Sequence, residues 1–127
     1  MTGTGRAQRF ADALSSFESS GEAADLLAQF GEGAELSRPE ADRGDAGTDA
    51  AGFWEAYRAQ FGELSTTFSS VEEAGDLGVL EWRSTGTLST GRSIDYRGVS
   101  LLHFGDDDTV TRFATYYDTA AFLEPTA

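Results

Sequence analysis

Between Val79 and Asp118 the chain alternates apolar and polar residues in three runs, separated by two turns rich in Gly, Ser or Asp. A period of two sends successive side chains to opposite faces, so the stretch is compatible with strands that bury one face and with little else. In the first run Leu80, Trp82, Ser84, Gly86 and Leu88 alternate with Glu81, Arg83, Thr85 and Thr87, and Ser89-Thr90-Gly91 turns the chain. Ile94, Tyr96, Leu102 and Phe104 define the second run, with Gly98 in its middle. A glycine at such a position marks a bulge or a sharp bend, and a bulge would change the face on which His103 emerges. Gly105-Asp106-Asp107-Asp108 then turns into the last strand, Thr109–Asp118. One more alternating run precedes these: Leu64, Thr66, Phe68 and Ser70, closed by Ala74-Gly75-Asp76.

Upstream the period changes to that of a helix. Phe10, Leu14 and Phe17 fall at i, i+4, i+7 and make one apolar stripe. Ser19 and Glu22 have capping-box spacing ahead of Ala23, Leu26, Leu27 and Phe30, which predicts a second helix stopped by Gly31 and Gly33. Ala34–Ser37 reads as a short strand, because the residue before Pro39 is pushed to extended geometry. Residues 40–48 form a polar loop. A third helix, capped by Thr48, carries Phe53, Trp54, Tyr57 and Phe61 on one face. The order predicts one α+β domain over residues 1–127, ordered from about 6 to 123, with three N-terminal helices on a curved antiparallel sheet.

Nine Phe, four Tyr and two Trp supply enough large side chains for a real core. The net charge of −13, with all nine basic residues arginine, opposes binding to nucleic acid or to anionic membranes. There is no cysteine, hence no disulfide or thiolate chemistry. The first twenty residues lack a continuous apolar run, so neither a signal peptide nor a membrane span is expected, and the cytoplasm is the expected location.

Glu81-Trp82-Arg83 with Gly86-Thr87, then Tyr96-Arg97-Gly98-Val99, then Val110-Thr111-Arg112-Phe113 and Tyr116-Tyr117-Asp118 resemble the nuclear transport factor 2-like (NTF2-like) superfamily, and within it the SnoaL-like, polyketide cyclase-like branch. The resemblance spans roughly residues 6 to 123. It implies a cone-shaped roll whose bent sheet wraps the helices around an apolar pocket. It also implies a small apolar organic ligand, no cofactor, and a homodimer formed through the sheet. Fold alone does not fix activity, because this fold carries isomerases, cyclases, hydrolases and domains without chemistry.

The resemblance also implies that Asp118, at the end of the last strand, is a general base acting beside a carbonyl. Alternation puts Arg112, Ala114, Tyr116 and Asp118 on one face; if that face lines the pocket, Asp118 sits in apolar surroundings and Arg112 meets the ligand. The alternative is that Asp118 caps a helical turn through residues 119–122. His103, the only histidine, is either a pocket acid–base group or an ordinary sheet residue, and by itself it excludes a histidine metal triad. Tyr116, Tyr96 and Tyr57 are either hydrogen-bond donors to a developing enolate or packed aromatics with satisfied hydroxyls, and Trp82 is pocket wall or core. Asp106-Asp107-Asp108 reads as a turn rather than a cation site. Asp95 and Arg97 read as a solvated strand face.

Overall fold

The computed structural model describes residues 5–39, 49–118 and 120. Its elements are α1 (Arg6–Ser20), α2 (Ala24–Leu27), β1 (Phe30–Ser37), α3 (Ala50–Arg58), β2 (Phe61–Ala74), β3 (Leu77–Leu88), β4 (Ser93–Phe104) and β5 (Val110–Tyr117). The five strands form one curved, open sheet in the order β1-β5-β4-β3-β2. Strands β2 to β5 are the expected antiparallel meander, and β1 adds to β5 in parallel.

The stripe on α1 is buried as its spacing requires. Phe10, Leu14 and Phe17 all face the sheet, and Phe10 stacks on Phe113 of β5 with centroids 5.5 Å apart. Gly21 ends α1 at φ 78° and returns its N–H to the Phe17 carbonyl, a left-handed cap that glycine adopts without strain. The capping box does not form: Ser19 and Ser20 belong to the last turn of α1 and bond back to the Ser16 carbonyl.

Two expected boundaries move. The second helix is a single turn, and Phe30 opens β1 instead of closing that helix. Its ring meets Phe10 edge-on at 5.6 Å and Phe113 at 6.4 Å, contacts that a strand residue beside β5 can reach. On α3 the cap is Asp49, whose Oδ1 accepts the Gly52 N–H at 2.9 Å; Thr48 lies outside the described residues. Phe61 follows α3 as the first residue of β2.

The expected bulge at Gly98 is absent. The ladders run through it without a shift, pairing it with Trp82 on one side and Tyr117 on the other. Its missing side chain serves close approach instead. A Cβ there would collide with the Tyr116 carbonyl oxygen and would lie 2.6 Å from Cζ2 of Trp82. The irregularities fall elsewhere. Among them, one lies in β2 between Phe68 and Ser70, and a second opposite His103/Phe104, where Thr111 is an extra residue in β5. After that second bulge the inward side chains of β5 are Phe113, Thr115 and Tyr117.

The aspartate turn is used as a turn. Asp107 Oδ1 accepts both the N–H and the hydroxyl of Thr109, and Asp108 sits at φ 66°. Asp108, Asp76 and Glu73 surround the guanidinium of Arg6, which lies 4.4 Å over the Phe104 ring. This network fastens the start of α1 to two sheet turns. On the outer face Arg83 clamps Asp95 across the β3–β4 ladder, with Nε–Oδ1 at 2.8 Å and Nη2–Oδ2 at 2.5 Å. No described helix is long and apolar enough to cross a membrane.

Candidate functional site

The concave face of the sheet is apolar, with one polar belt across it. Thr66 of β2, Ser84 of β3, Ser100 of β4 and Thr115 of β5 each present a hydroxyl inward, one from each of four neighbouring strands. Ser100 and Thr115 bond to each other at 2.8 Å, and Trp82 Nε1 donates to Ser100 at 2.9 Å. Thr66 donates to Oε2 of Glu18 at 2.8 Å and is 2.6 Å from the Ser84 hydroxyl. A hydroxyl has one proton, so Thr66 must receive its second bond from Ser84, and the chain runs Ser84 to Thr66 to Glu18.

Glu18 is the candidate functional residue that sequence reasoning missed. It is only 4% exposed, on the inner face of α1 directly after Phe17. Burial pushes its carboxyl from 4.5 up to about 7, against the opposing pull of the Thr66 hydrogen bonds and the Arg58 charge. Its Oε1 is buried without a partner, as is Nε1 of Trp54. Both residues line the same internal chamber, together with Leu14, Tyr57, Trp82, Phe113 and the hydroxyl belt. The chamber measures about 20 Å³, room for about one water molecule. An unpaired acceptor and an unpaired donor on such a wall suit one small polar group of a bound molecule. Near neutrality the carboxyl is divided between a proton donor and a carboxylate base.

Of the expected site residues, the structure brings Tyr57, Trp82 and Tyr96 together on the inner side and leaves the others outside. Tyr57 and Trp82 line the chamber, and Tyr96 stands behind them with its ring 5.4 Å from Trp82. The Tyr57 and Tyr96 hydroxyls are hydrogen-bonded to each other. Burial, followed by that neighbour, holds the Tyr57 phenol well above its usual range, so it stays neutral. Asp118 is exposed, and its Oδ1 accepts the Ala120 N–H at 2.9 Å, which is the capping geometry. Tyr116 is 50% exposed and Arg112 is exposed, both on the outer face. The extra residue at Thr111 is the cause: it turns Phe113, Thr115 and Tyr117 inward, so Tyr117, not Tyr116, packs on Tyr96 at 5.3 Å and Trp82 at 5.9 Å. With no bulge at Gly98, His103 alternates away from the buried Leu102 and Phe104 and lies half-buried opposite Arg112. Among the described residues no group of three His, Cys, Asp or Glu side chains is placed to hold a metal.

The interior is also more filled than the apolar pocket that the resemblance implies. Trp54, Tyr57, Phe61, Trp82, Tyr96 and Tyr117 pack in the cone with rings in mutual contact, and a water-sized chamber beside Glu18 lies between them and α1.

Many solved structures share this architecture, among them the following three. An NTF2-like protein of unknown function from Burkholderia pseudomallei superposes with a TM-score of 0.78 at 17% identity, over 93% of this chain and 95% of that one. A protein with a ketosteroid isomerase-like fold from Catenulispora acidiphila, solved with trimethylamine, gives 0.76 at 16% identity, over 90% and 88%. A candidate SnoaL-like polyketide cyclase from a Jannaschia species gives 0.69 at 17% identity, over 98% and 99%. No curated protein is significantly similar in sequence. The SnoaL-like domain model matches residues 7–113, from the first turn of α1 to the inward-facing Phe113 of β5. Helices on an open curved sheet and that match agree: the chain belongs to the SnoaL-like domain family, on the NTF2-like fold.

Proposed function

We propose that the protein is a cofactor-independent enzyme of the cyclase or isomerase type, moving a proton next to the carbonyl of a small apolar organic compound, with Glu18 as the acid–base group. The observation that carries this is the Glu18 carboxyl itself: buried, poised near neutrality, and with one oxygen unpartnered on the chamber wall. The base role implied for Asp118 by resemblance passes here to Glu18, because Asp118 is outside the chamber and already accepts a backbone N–H. Trp54 Nε1 is the donor available to a developing oxyanion, since the Tyr57 and Tyr96 hydroxyls serve each other. Admission of a substrate requires α3 to shift, because this nine-residue helix supplies Phe53, Trp54 and Tyr57 to one wall. The trimethylamine found with the Catenulispora relative supports a pocket of this fold taking a small organic molecule.

The test follows exchange of the α-protons of benzoylacetone in D₂O by proton NMR. Wild type is expected to accelerate exchange, Glu18→Gln to lose a factor on the order of 10² or more, and Asp118→Asn to keep the wild-type rate. Loss of rate in Asp118→Asn with retention in Glu18→Gln would return the role to Asp118. The water-sized chamber favours a second reading, a binding or accessory domain without chemistry, and absence of exchange with every protein would support it.

A homodimer through the outer sheet face is part of the same proposal. Tyr116 is the one large apolar side chain that is exposed among the described residues, beside an outer depression of about 460 Å³ flanked by Arg83 and Arg97. Light scattering at micromolar concentration should return twice the 13.6 kDa chain mass, and Tyr116→Asp should shift it toward one. A wild-type protein of single mass rejects the dimer.

A further inference from the structure

We infer that Arg58 is a positioning residue for Glu18: seated across one layer of rings from the carboxyl, its guanidinium steadies the carboxylate form that acts as the base. The inference rests on the acid–base reading of Glu18 given above. An open depression of about 360 Å³ lies on the helical side, where the end of α1, α2, α3 and the start of β2 meet. Consecutive residues divide between this depression and the chamber. On α1, Phe17 lines the depression and Glu18 the chamber; on α3, Arg58 lines the depression and Tyr57 the chamber. The partition is one layer of rings. Phe17 meets Trp54 of the chamber at 6.2 Å between centroids, and Phe61 of the depression meets Tyr57 at 5.3 Å. Glu18 and Arg58 therefore face each other through that layer.

Arg58 acts across the layer rather than through a bond to the carboxyl. Its Nη1 donates to the Phe61 carbonyl at 3.3 Å, which ties the guanidinium to the start of β2, while Nε is shut off from water without a partner. Oε1 of Glu18 is shut off and unpartnered in the same way. Opposite charges parted by apolar rings are poorly screened, so each feels the other without contact. The remaining groups around Glu18 offer it no second cation among the described residues. Strands β2 to β5 present the uncharged Thr66, Ser84, Ser100 and Thr115, α3 adds the neutral Tyr57, and Glu55 lies exposed on the rim of the depression. Burial drives the carboxyl upward, and the Arg58 charge draws it back alongside the Thr66 hydrogen bonds. Without that charge a buried carboxyl keeps its proton at neutral pH and cannot serve as a base. A direct ion pair would err the other way, because it would occupy Oε1 and stabilise the carboxylate too far. Holding the guanidinium on the far side of the rings leaves that oxygen open to a substrate.

Carbon-13 NMR of the full chain, labelled at the glutamate side-chain carboxyl, reads the inference without a ligand. Arg58→Gln removes the charge but keeps an N–H for the Phe61 carbonyl, and Arg58→Met removes both. Each should raise the Glu18 titration midpoint by roughly 0.5–1 pH unit, and Arg58→Lys by less than half as much. Arg97→Met deletes an exposed cation from the outer sheet face and should leave the midpoint within about 0.2 pH unit. The pH profile of benzoylacetone exchange should move with the midpoint, so that Arg58→Gln loses roughly two- to fivefold in rate at pH 7 and recovers it by about pH 9. An unchanged midpoint in Arg58→Gln, a rise confined to Arg58→Met, or an equal rise in Arg97→Met would each overturn the inference. A raised midpoint with no exchange in any protein would strike the enzyme reading and still support the coupling of Arg58 to Glu18.

Discussion

At pH 8 the Glu18→Gln protein is expected to be more stable than wild type, by about 2–3 kcal/mol or roughly 10 °C in Tm. A carboxyl whose pKa rises from 4.5 unfolded to about 7 folded binds more protons in the native state across that interval. Its stabilising contribution is complete below about 4.5 and is lost as the pH climbs through about 7; the pKa difference corresponds to about 3 kcal/mol. Glutamine keeps a neutral group of the same shape, still able to accept from Thr66, and it has no proton to lose. Wild type should therefore weaken between about pH 5 and 8 relative to the variant, and the two curves should converge near pH 4.5. Thermal melts by circular dichroism at half-unit pH steps would check this. Parallel curves would mean that Glu18 is not buried in the way described. A group that lowers stability at working pH and is nevertheless seated on the wall of a chamber is what a functional site requires.

Trp54→Ala should cost about 3–5 kcal/mol, a fall of roughly 10–20 °C in Tm. The indole is 3% exposed and is the ring on which the interior converges. It lies 5.1 Å from both Phe53 and Phe113, 6.1 Å from Tyr57, 6.2 Å from Phe17, 6.3 Å from Phe10 and 6.4 Å from Phe30. Truncation removes ring contacts with α1, β1 and β5 and within α3 at once and leaves a void in the packing around α3. Trp54→Phe should behave differently. It keeps a ring among those partners and removes an N–H that has no acceptor, so the lost volume and the removed unsatisfied donor oppose each other and the net change should stay within about 1–2 kcal/mol. Urea unfolding of both variants separates the two contributions. Equal losses would show that the indole N–H, rather than ring packing, is what the site needs for stability.

How much of this was legible in the sequence depends on the range of the interaction. The α1 stripe and the β2–β5 alternation are local patterns, and Phe10, Leu14, Phe17, Leu80, Trp82, Ile94 and Tyr96 are buried as their periodicity requires. The parallel partner of β1 was not legible, because pairing Leu36 with Phe113 joins residues far apart in the chain and leaves no local trace. The face of the last strand was misread for a smaller reason. One extra residue at Thr111 reverses every side chain after it. Its only signal is that the apolar residues Val110 and Phe113 are separated by an odd step, where unbroken alternation needs an even one. Tyr116 and Asp118 were thereby expected inside, where Thr115 and Tyr117 are found.

Glu18 did leave a signal. Phe10, Leu14 and Phe17 continue to position 18 as the i+8 member of the same helical face, so an acid there is a charge on a core stripe. The inward Thr66 and Ser84 were a second, weaker sign, since hydroxyls at buried strand positions need partners and a carboxyl can supply one. The outer-face residues Asp95 and Arg83 carry as many charges but none of this constraint, because water solvates them.

Everything proposed for the chamber rests on Glu18 being a buried carboxyl half-ionised near neutral pH. Carbon-13 NMR of protein labelled at the glutamate side-chain carboxyl, titrated from about pH 4 to 9, reads this without any ligand. One resonance, missing from Glu18→Gln, should titrate at about 7, well above the ordinary carboxylate value. If the Glu18 resonance instead titrates near the ordinary 4.5, the carboxyl is solvated and the proposed acid–base role fails.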